Sequence, residues 1–439
     1  MNNEEITKQQ KKVKELKEKL KKEKQKLKLI NNQNKSNKFI NMLKKDDTDT
    51  YKFKEVLIIM LFSLALGFFT CFSIITIFNG GRSYFTVSKD LDKFIDSYYT
   101  IVDNYYGDLN KEDLVNSAIE GMINSVGDVY TNYSDSDTTT SFLETVEGTY
   151  EGIGCTIAQK QTGEIVVIDM FDDGPSAKAG LMIDDIILKV DDLAAEGKTT
   201  TELSDYIKNT KNKNIIITVL RNNEEKEINV VRDKVEVPTV TSEVLEKNNK
   251  KIGYMSISIF SSITDKQFNT ELEKLQKENI EGLIIDVRGN GGGYLSSVTN
   301  ILNRILEKDK VIYQLESKDK VEKKKDTTKE CLNIPIAVLT NTGSASASEI
   351  LASAIKESYG GYVVGTNTYG KGTVQQTSQL PDGSMLKYTV QNWLTPNGNW
   401  VNEVGLEPTD YIELSEEYYN NPNNDTDSQL QKALEFLTK

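Results

Sequence analysis

The sequence predicts an α/β protein of several domains. Its 439 residues are enough for two or three domains. Beyond about residue 235, apolar strand patterns alternate with helical patterns, which favours an α/β core. The segment before it, residues 148–234, carries short strands and glycine turns, and Val56–Phe78 is a run of 23 residues without a charge. These features predict an α/β multidomain chain with an N-terminal transmembrane helix.

The charge of the chain is divided unevenly. Residues 1–54 carry 17 lysines against 8 acidic residues, a net charge of +9, so with −13 overall the remainder carries −22. An acidic body disfavours nucleic acid as a partner, because nucleic acid requires a basic surface. Glu23 interrupts a short heptad pattern in this basic tail. We therefore expect a solvated cytoplasmic tail rather than a coiled coil, with charge suited to anionic lipid headgroups.

The uncharged run predicts membrane anchoring through residues 55–79. At about 1.5 Å per residue it would span about 34 Å, enough for a bilayer core of about 30 Å. Lysines crowd its N-terminal side, which by the positive-inside rule places the N-terminus in the cytoplasm and the remainder outside. No small-residue cleavage site follows. The sequence therefore predicts a single-pass cell-membrane protein with an uncleaved signal anchor.

The chain contains no histidine. This excludes Ser-His-Asp and Cys-His catalysis and every His-ligated zinc site. The cysteines are odd in number and widely spaced, which indicates neither a zinc site nor a disulfide framework. They are Cys71, Cys155 and Cys331. We expect no metal and no cofactor.

A small-residue turn, Asn341–Ile350, follows the apolar strand Ile336–Leu339 and leads into the helical pattern Glu349–Glu357. A serine at such a strand-to-helix turn is exposed and backed by helix N-terminal amides, as an attacking hydroxyl requires. Without histidine, the base for such a serine would be a lysine with a depressed pKa. Lys371 lies between two glycines, which would allow close backbone packing over its amine.

Three motifs occur in order along the chain. They are an Asp-x-Arg-x-Asn-x-Gly-Gly run (Asp286–Gly293), a Ser-Ala-Ser-Ala-Ser-Glu run (Ser344–Glu349) and a Gly-Lys-Gly-Thr-Val-Gln-Gln run (Gly370–Gln376). With them the chain resembles the carboxyl-terminal processing, or tail-specific, serine proteases, which combine a PDZ domain with a Ser-Lys dyad. The resemblance covers about residues 85–415.

The resemblance implies the roles of five residues. Ser346, which precedes Lys371 by 25 residues, would be the nucleophile and Lys371 its base. Gln375 matches the supporting glutamine of the family. The amides of Gly292 and Ala347 would form the oxyanion hole. The family also implies a homo-oligomer and a gate operated by the PDZ domain.

Residues 148–234 resemble a PDZ domain. Glycines flank Ile153 in the loop Gly152–Gly154, where successive amides could converge on a peptide carboxylate while the next strand accepts the peptide. Gly152, Ile153 and Gly154 are therefore the predicted carboxylate-binding residues. The chain departs from the family at one point, since Lys208-Asn209 stands where the family often has Arg-Gly. Signalling between this domain and the active site would therefore differ in detail from that of the family.

The remaining segments complete the predicted organisation. Residues 85–147 resemble the helical cap of the family, and the turn Asp128–Thr131 stands where Asp-Pro-Tyr-Ser is usual. This segment by itself carries no chemistry. Residues 235–424 would form the protease core and residues 425–439 a C-terminal helix. The charge-dense stretch 316–330 is interpreted as a solvated excursion.

Two rival interpretations were weighed against the protease. Gly365–Gly372 nearly matches a Walker A loop, but Gly372 stands where Ser or Thr is needed, and a strand pattern, Val374–Thr377, stands where a helix is needed. The second alternative is a membrane-anchored PDZ peptide-binding protein with an idle core. The joint presence of the serine, lysine and glutamine favours an endopeptidase that captures free C-termini of unstructured proteins.

Overall fold

The computed structural model describes residues 12, 15–28, 53–78, 89–171 and 173–439. Predictions for most of the basic tail and for the start of the helical cap, residues 85–88, lie outside the described residues. The chain divides into two compact units, residues 1–111 and 112–439. Each unit is described by itself.

The described part of the first unit is mostly helical, and the non-helical residues 105–110 close it. Residues 15–28 are helical, and helices α1 (Phe53–Phe78) and α2 (Lys89–Asn104) follow. Within the described residues, no helix has the length and apolarity needed to cross a membrane. The predicted transmembrane anchor is therefore not confirmed by the structure.

Two helices and a short strand lead into the second unit. Helix α3 (Lys111–Asn124) crosses the boundary between the units, and strand β1 (Asn132–Ser134) and helix α4 (Ser136–Glu147) follow. Asp135 caps α4 by accepting a hydrogen bond from the Thr138 amide, and Gly148 ends it with a φ of 68°. The predicted helical pattern of this region is thus present, with a strand inserted into it.

A β-rich subdomain follows, entered and left through an antiparallel pair, β2 (Thr149–Gly152) and β9 (Asp233–Glu236). Its sheet has the order β3-β4-β5-β7-β8, with β6 paired to β5. Its strands are β3 (Cys155–Gln159), β4 (Ile165–Met170), β5 (Ile186–Val190), β6 (Leu193–Ala194), β7 (Asn214–Arg221) and β8 (Glu224–Val231). Its helices are α5 (Pro175–Ala179) and α6 (Thr200–Asn209).

The main sheet of the core has six strands in the order β10-β11-β12-β15-β16-β19. All pairs except β10–β11 are parallel, which confirms the predicted α/β core. The strands are β10 (Val240–Lys247), β11 (Lys250–Ile257), β12 (Gly282–Asp286), β15 (Ile336–Thr340), β16 (Tyr362–Gly365) and β19 (Asp410–Tyr411).

Helices cover this sheet. They are α7 (Thr264–Lys277), α8 (Leu295–Ile305), α9 (Ala347–Ala354) and α11 (Ser428–Leu437), while the short helix α10 (Glu416–Asn420) has no buried residue and lies in the segment before α11. Leu430, Leu434 and Leu437 of α11 are buried against apolar residues of β12 and β15. The Arg288 guanidinium contacts the carboxylates of Asp286 (2.6 Å) and Asp427 (2.8 Å), so it joins the end of β12 to the start of α11.

A second, antiparallel sheet has the order β1-β18-β13-β14, with β17 paired to β18. Its other strands are β13 (Val311–Glu316), β14 (Val321–Lys325), β17 (Thr373–Gln379) and β18 (Met385–Leu394). The charge-dense stretch 316–330, which the sequence predicted to be a solvated excursion, therefore contains the exposed strand β14. Its backbone pairs with β13 while its side chains remain in water, as charged edge strands allow.

Candidate active site

Ser346 lies at the turn between β15 and α9, immediately before the helix begins at Ala347. Its backbone angles, φ 54° and ψ −111°, are strained for a residue with a side chain. A strained serine between a strand and a helix presents its hydroxyl outward, as in a nucleophile elbow. The helix thus begins two residues earlier than predicted. It ends in a π-helical turn, Ile355–Tyr359, closed by the Gly360 amide on the Ile355 carbonyl.

Burial distinguishes Ser346 from the two other serines of the run. Ser344 and Ser348 have no exposed surface, and their hydroxyls donate to the carbonyls of Val287 and Asn290, each at 2.8 Å. Both therefore join the serine turn to the glycine run. Ser346 is half-buried and lines a cleft. Of the three, it is the serine placed to meet a substrate.

Glu349 is a site residue whose role the sequence motif does not reveal. Its side chain is fully buried. One carboxylate oxygen accepts from the amides of Ser346 (2.7 Å) and Lys371 (2.9 Å). The other accepts from the Gly370 amide (2.8 Å) and the Thr368 hydroxyl (2.6 Å). A single buried carboxylate therefore holds together the serine turn, residues 341–346, and the lysine loop, residues 366–372.

The lysine loop is also held through its carbonyls. The indole of Trp393 donates to the Lys371 carbonyl (2.7 Å), and that of Trp400 donates to the Gly372 carbonyl (2.9 Å). A Cβ at Gly372 would lie 2.6 Å from the Trp400 Nε1, and one at Gly370 only 2.8 Å from the Gly405 amide. Both glycines thus permit close packing, against Trp400 and Gly405, whereas packing of backbone over the Lys371 amine stays a prediction. Since β17 follows directly, no Walker A helix follows the lysine.

Burial lowers the pKa of the Lys371 ammonium, and the positive charge of Lys387 lowers it further. Glu349 and Asp128 act in the opposite direction, but the net shift is downward. The ring of Tyr130 also covers the amine, with the Lys371 Nζ 5.0 Å from the ring centroid. A lysine with a lowered pKa is neutral over a wider pH range, as a general base requires.

Gln375 lies on β17, just after a bulge in its pairing with β18. Its Nε2 donates to the Thr373 hydroxyl (2.8 Å) and to the Thr389 hydroxyl (3.2 Å). Among the described residues, no hydrogen bond joins the Lys371 amine to Gln375 or to the Ser346 hydroxyl. Catalytic hydrogen bonds are often long in unliganded enzymes and shorten when substrate binds. Gln375 as a support for Lys371 stays a prediction.

Gly292 packs directly against the serine. Its φ is 104°, and a Cβ there would lie 2.9 Å from the Ser346 Cβ and 3.1 Å from the Ala347 amide nitrogen. The Gly292 amide itself donates to the Asn290 Oδ1 at 2.8 Å. The Ala347 amide, at the first position of α9, has no partner within the helix. Of the two predicted oxyanion donors, Ala347 is thus available, whereas Gly292 is engaged by Asn290.

One cleft of about 700 Å³ collects the predicted catalytic groups. Apolar side chains such as Leu295, Ile350 and Val374 form much of its wall, beside the amine of Lys387. The predicted residues that line it are Ser346, Lys371, Gln375, Gly292 and Ala347. The structure therefore brings together five groups that lie up to 83 positions apart in the chain.

A second cavity, of about 380 Å³, lies between β3 and α6 of the β-rich subdomain. Ile153 lines it, whereas Gly152 and Gly154 do not. Gly152 pairs with Asp233, and Gly154, with a φ of 70°, packs against Pro175. Of the three predicted carboxylate-binding residues, the structure thus places one in the groove. The two cavities share three lining residues, Thr145, Ser258 and Ile259.

The fold and the cleft define a class of protein. A serine at a strained strand-to-helix turn and a lysine of lowered pKa line one cleft of an α/β core, and the groove of a β-rich subdomain adjoins that cleft. Family models match three segments of the chain: an N-terminal domain of the activating protease CtpB (77–138), a PDZ domain (152–231) and peptidase family S41 (251–412). The chain is thus a serine protease with a PDZ domain.

Known relatives place the chain within that class. It is 37% identical to the carboxy-terminal processing protease CtpB of Bacillus subtilis over 324 residues, 73% of this chain and 67% of the relative. It is 35% identical to CtpA of the same organism over 342 residues, 76% of this chain and 72% of the relative. The chain therefore belongs to peptidase family S41, among the carboxy-terminal processing proteases.

A solved structure, the photosystem II D1 C-terminal processing protease, covers 80% of this chain and 98% of its own length. Its sequence identity to this chain is 22% and its TM-score is 0.45. At that similarity the match adds nothing to the functional assignment, which follows from the family and from the cleft.

Proposed function

We propose that the chain cleaves peptide bonds with Ser346 as nucleophile and Lys371 as general base. The observation that carries this proposal is the position of Glu349. One of its buried oxygens accepts hydrogen bonds from the backbone amides of both residues, so both side chains enter one cleft. The burial of Ser344 and Ser348 supports the choice of Ser346.

In the proposed reaction, neutral Lys371 takes the hydroxyl proton as the Ser346 Oγ bonds to the scissile carbonyl carbon. The tetrahedral intermediate collapses, its carbon–nitrogen bond breaks, and the lysine ammonium returns the proton to the leaving amine. Lysine then activates a water molecule that hydrolyses the acyl-enzyme. Gln375 would orient the amine from β17 by accepting one of its N–H groups at the Oε1, while the Nε2 keeps its hydrogen bonds to the Thr373 and Thr389 hydroxyls.

The negative oxygen of the intermediate would be stabilised by the amides of Ala347 and Gly292. Each preorganised donor of this kind contributes roughly 10²–10³ in rate. The Gly292 amide must first leave the Asn290 Oδ1, which it contacts at 2.8 Å. A small rotation of the glycine peptide is compatible with this, because Gly292 has no side chain to move.

We also propose that the PDZ groove captures the free C-terminus of an unstructured substrate. The groove and the catalytic cleft adjoin at Thr145, Ser258 and Ile259, so a bound tail could continue from one to the other. Ile153 supports this role, since it lines the groove at its glycine loop. The amine of Lys208 provides a positive charge at the groove, where it now pairs with Glu144 at 3.0 Å.

The cellular location is proposed from the sequence alone. The uncharged run Val56–Phe78 and the lysines before it support an anchored chain with the protease outside the cytoplasmic membrane. Protease added to intact cells should then degrade the catalytic part and spare the N-terminal tail. Degradation only after lysis would contradict this location. A homo-oligomer is proposed only from the family, and light scattering of the purified chain would test it.

The dyad and the tail recognition are tested together with the full-length chain in detergent. Wild type, Ser346→Ala and Lys371→Ala are compared on one unstructured polypeptide that carries either a free or an amidated C-terminus. We expect cleavage by the wild type alone, and much faster cleavage of the free form. Activity that survives in Lys371→Ala would overturn the dyad.

Equal cleavage of both substrates would overturn recognition of the tail. A wild type that binds the free tail and cleaves nothing would instead support the idle peptide-binding alternative. Thermal melting of each variant identifies losses that come from unfolding rather than from chemistry.

A further inference from the structure

The turn Asp128–Thr131 lies beside the catalytic base, although the sequence indicated no chemistry for it. Strand β1, which follows the turn, pairs antiparallel with β18, with Asn132 opposite Lys387. Strand β17, which carries Gln375, pairs with the same strand, with Gln375 opposite Thr389. Strand β18 therefore brings the turn and the lysine loop to the same end of the antiparallel sheet.

The turn is internally fixed. The Asp128 carboxylate accepts hydrogen bonds from the Tyr130 amide (3.0 Å) and from the Thr131 hydroxyl (2.6 Å). The Thr131 amide also donates to the Asp128 carbonyl at 3.2 Å. Such an Asx arrangement restricts the backbone of a turn. The side chains of Tyr130 and Thr131 therefore have defined positions relative to β18.

Both side chains reach the catalytic groups. The Tyr130 ring centroid lies 5.0 Å from the Lys371 Nζ, within the distance of a cation–π contact. The Thr131 hydroxyl accepts from the Thr389 amide (3.2 Å), and the Thr389 hydroxyl accepts from the Gln375 Nε2 (3.2 Å). The turn thus contacts the base directly and the supporting glutamine through one residue.

We propose that Tyr130 and Thr131 are positioning residues of the catalytic base. Tyr130 covers the Lys371 amine and limits the access of water to it, while Thr131 holds β18 where it supports Gln375. The segment before the PDZ domain therefore completes the active site of this protease. This inference rests on the proposed Ser346–Lys371 chemistry.

Two pairs of variants test the proposal, each with a conservative partner. Tyr130→Ala removes the ring and Tyr130→Phe retains it. Thr131→Val removes the hydroxyl and Thr131→Ser retains it. The control is Tyr133→Phe, which removes the nearby hydrogen bond from the Tyr133 hydroxyl to Asn116 (2.9 Å) and leaves the turn intact. For each full-length variant, kcat and KM are measured across pH, together with Tm.

We expect Tyr130→Ala to lower kcat/KM at least about tenfold, because small misplacements of catalytic groups lower rates steeply. Its activity profile should move to higher pH, since burial is the main cause of the lowered Lys371 pKa. Thr131→Val should lower kcat more than it raises KM. Tyr130→Phe and Thr131→Ser should stay near the control.

The proposal would be overturned if Tyr130→Phe and Thr131→Ser lost as much activity as Tyr130→Ala and Thr131→Val. It would also be overturned if Tyr130→Ala and Thr131→Val had the same pH profile and kcat as the control. Ser346→Ala and Lys371→Ala are measured in parallel. If Lys371→Ala retains activity, the proposed dyad itself fails. If Lys371→Ala is inactive while Tyr130→Ala and Thr131→Val behave like the control, the inference about the turn alone fails.

Discussion

The two walls of the catalytic cleft are built in different ways. The serine wall, formed by residues 290–293 and 344–348, consists largely of buried side chains and backbone groups bonded to one another. The lysine wall, in which Lys371 and Lys387 line the cleft and Tyr130 and Asp128 lie behind them, consists of half-buried side chains with charged groups among them. The serine wall sets positions, and the lysine wall sets a protonation state. Changes to the first should lower rates at every pH, and changes to the second should move the pH profile.

The largest effect is expected from Gly292→Ala on the serine wall. A Cβ would lie 2.8 Å from the Ala345 carbonyl and 2.9 Å from the Ser346 Cβ, at a φ of 104° that disfavours a side chain. The serine and the oxyanion amide would both be displaced, and kcat should fall by about 10³-fold. The shape of the pH profile, measured by kcat across pH, should not change.

Gly291→Ala is the matched control, because a Cβ at that position has nothing within 4 Å. It should retain most of the activity. A comparable loss in both variants would show that the run needs flexibility rather than the close approach of Gly292 to the serine.

Glu349→Gln should have the next largest effect, because this residue bonds both walls. The side-chain NH₂ group of the glutamine would face two of the four donors that now bond to the carboxylate, and those two donors would lose their acceptor. Each unpaired buried donor costs about 1–3 kcal/mol, so the free energy of unfolding should fall by a few kcal/mol. The rate should fall by about 10²-fold as Ser346 and Lys371 separate. Denaturant unfolding and kcat/KM measure the two effects.

The control is Glu357→Gln, since Glu357 accepts a single backbone hydrogen bond, from the Asn397 amide at 2.8 Å, at a more exposed position. Glu349 also raises the pKa of Lys371, so Glu349→Gln should move the activity profile to lower pH. A loss of rate with unchanged stability and an unchanged profile would contradict the bridging role.

A smaller effect is expected from Lys387→Met, which removes a charge from the lysine wall and keeps an apolar side chain near Phe142. The Lys387 charge lowers the pKa of Lys371, so its removal raises that pKa. Because the neutral lysine is the active form, the rising limb of kcat/KM against pH should move to higher pH. The rate at neutral pH should fall several-fold, and the plateau at high pH should be retained.

Lys324→Met, on the exposed strand β14 of the same sheet, is the control for loss of a positive charge. An equal shift in both variants would indicate a general charge effect rather than the proximity of Lys387. A lower plateau without any shift would place Lys387 in substrate binding instead.

The sequence predicted the parts of the site that are local in the chain. A serine between a strand and a helix, glycines beside a lysine and a glycine run after a buried strand each follow from a few neighbouring residues, and the structure has all three. The α/β character of the core likewise followed from the alternation of strand and helix patterns, although strands β10 and β19 of its sheet were not predicted. The sequence also missed strand β1 within the helical region and the exposed strand β14, whose charged side chains masked a backbone that pairs as an edge strand.

Contacts between distant residues could not be predicted in the same way. Thr131 and Thr389 are 258 positions apart, and the link between Glu349 and Lys371 spans 22 positions with a strand between them. No periodicity marks such pairs. The engagement of the Gly292 amide by Asn290 is local, yet it depends on the rotamer of a side chain that the motif does not specify. The positions of residues within motifs were thus easier to predict than the hydrogen-bond partner of each polar group.

The smallest effect, opposite in sign to that of Lys387→Met, is expected from Asp128→Asn. Burial raises the pKa of Asp128, but hydrogen bonds from Thr131, Thr389 and the Tyr130 amide, with the charge of Lys371, hold it below its ordinary value. The carboxylate is therefore ionised at neutral pH and raises the pKa of Lys371. Asparagine keeps an acceptor for the Tyr130 amide and removes the charge, so the rising limb should move to lower pH.

The double variant Asp128→Asn/Lys387→Met tests whether the two charges act on one amine. Both changes alter the electrostatic free energy of the Lys371 ammonium, with opposite signs, so the shifts should largely cancel. The rising limb of the double variant should lie between those of the single variants. A double variant that retains the full shift of Lys387→Met would show that Asp128 acts only through the shape of its turn, and the lysine wall would then be positioned in the same manner as the serine wall.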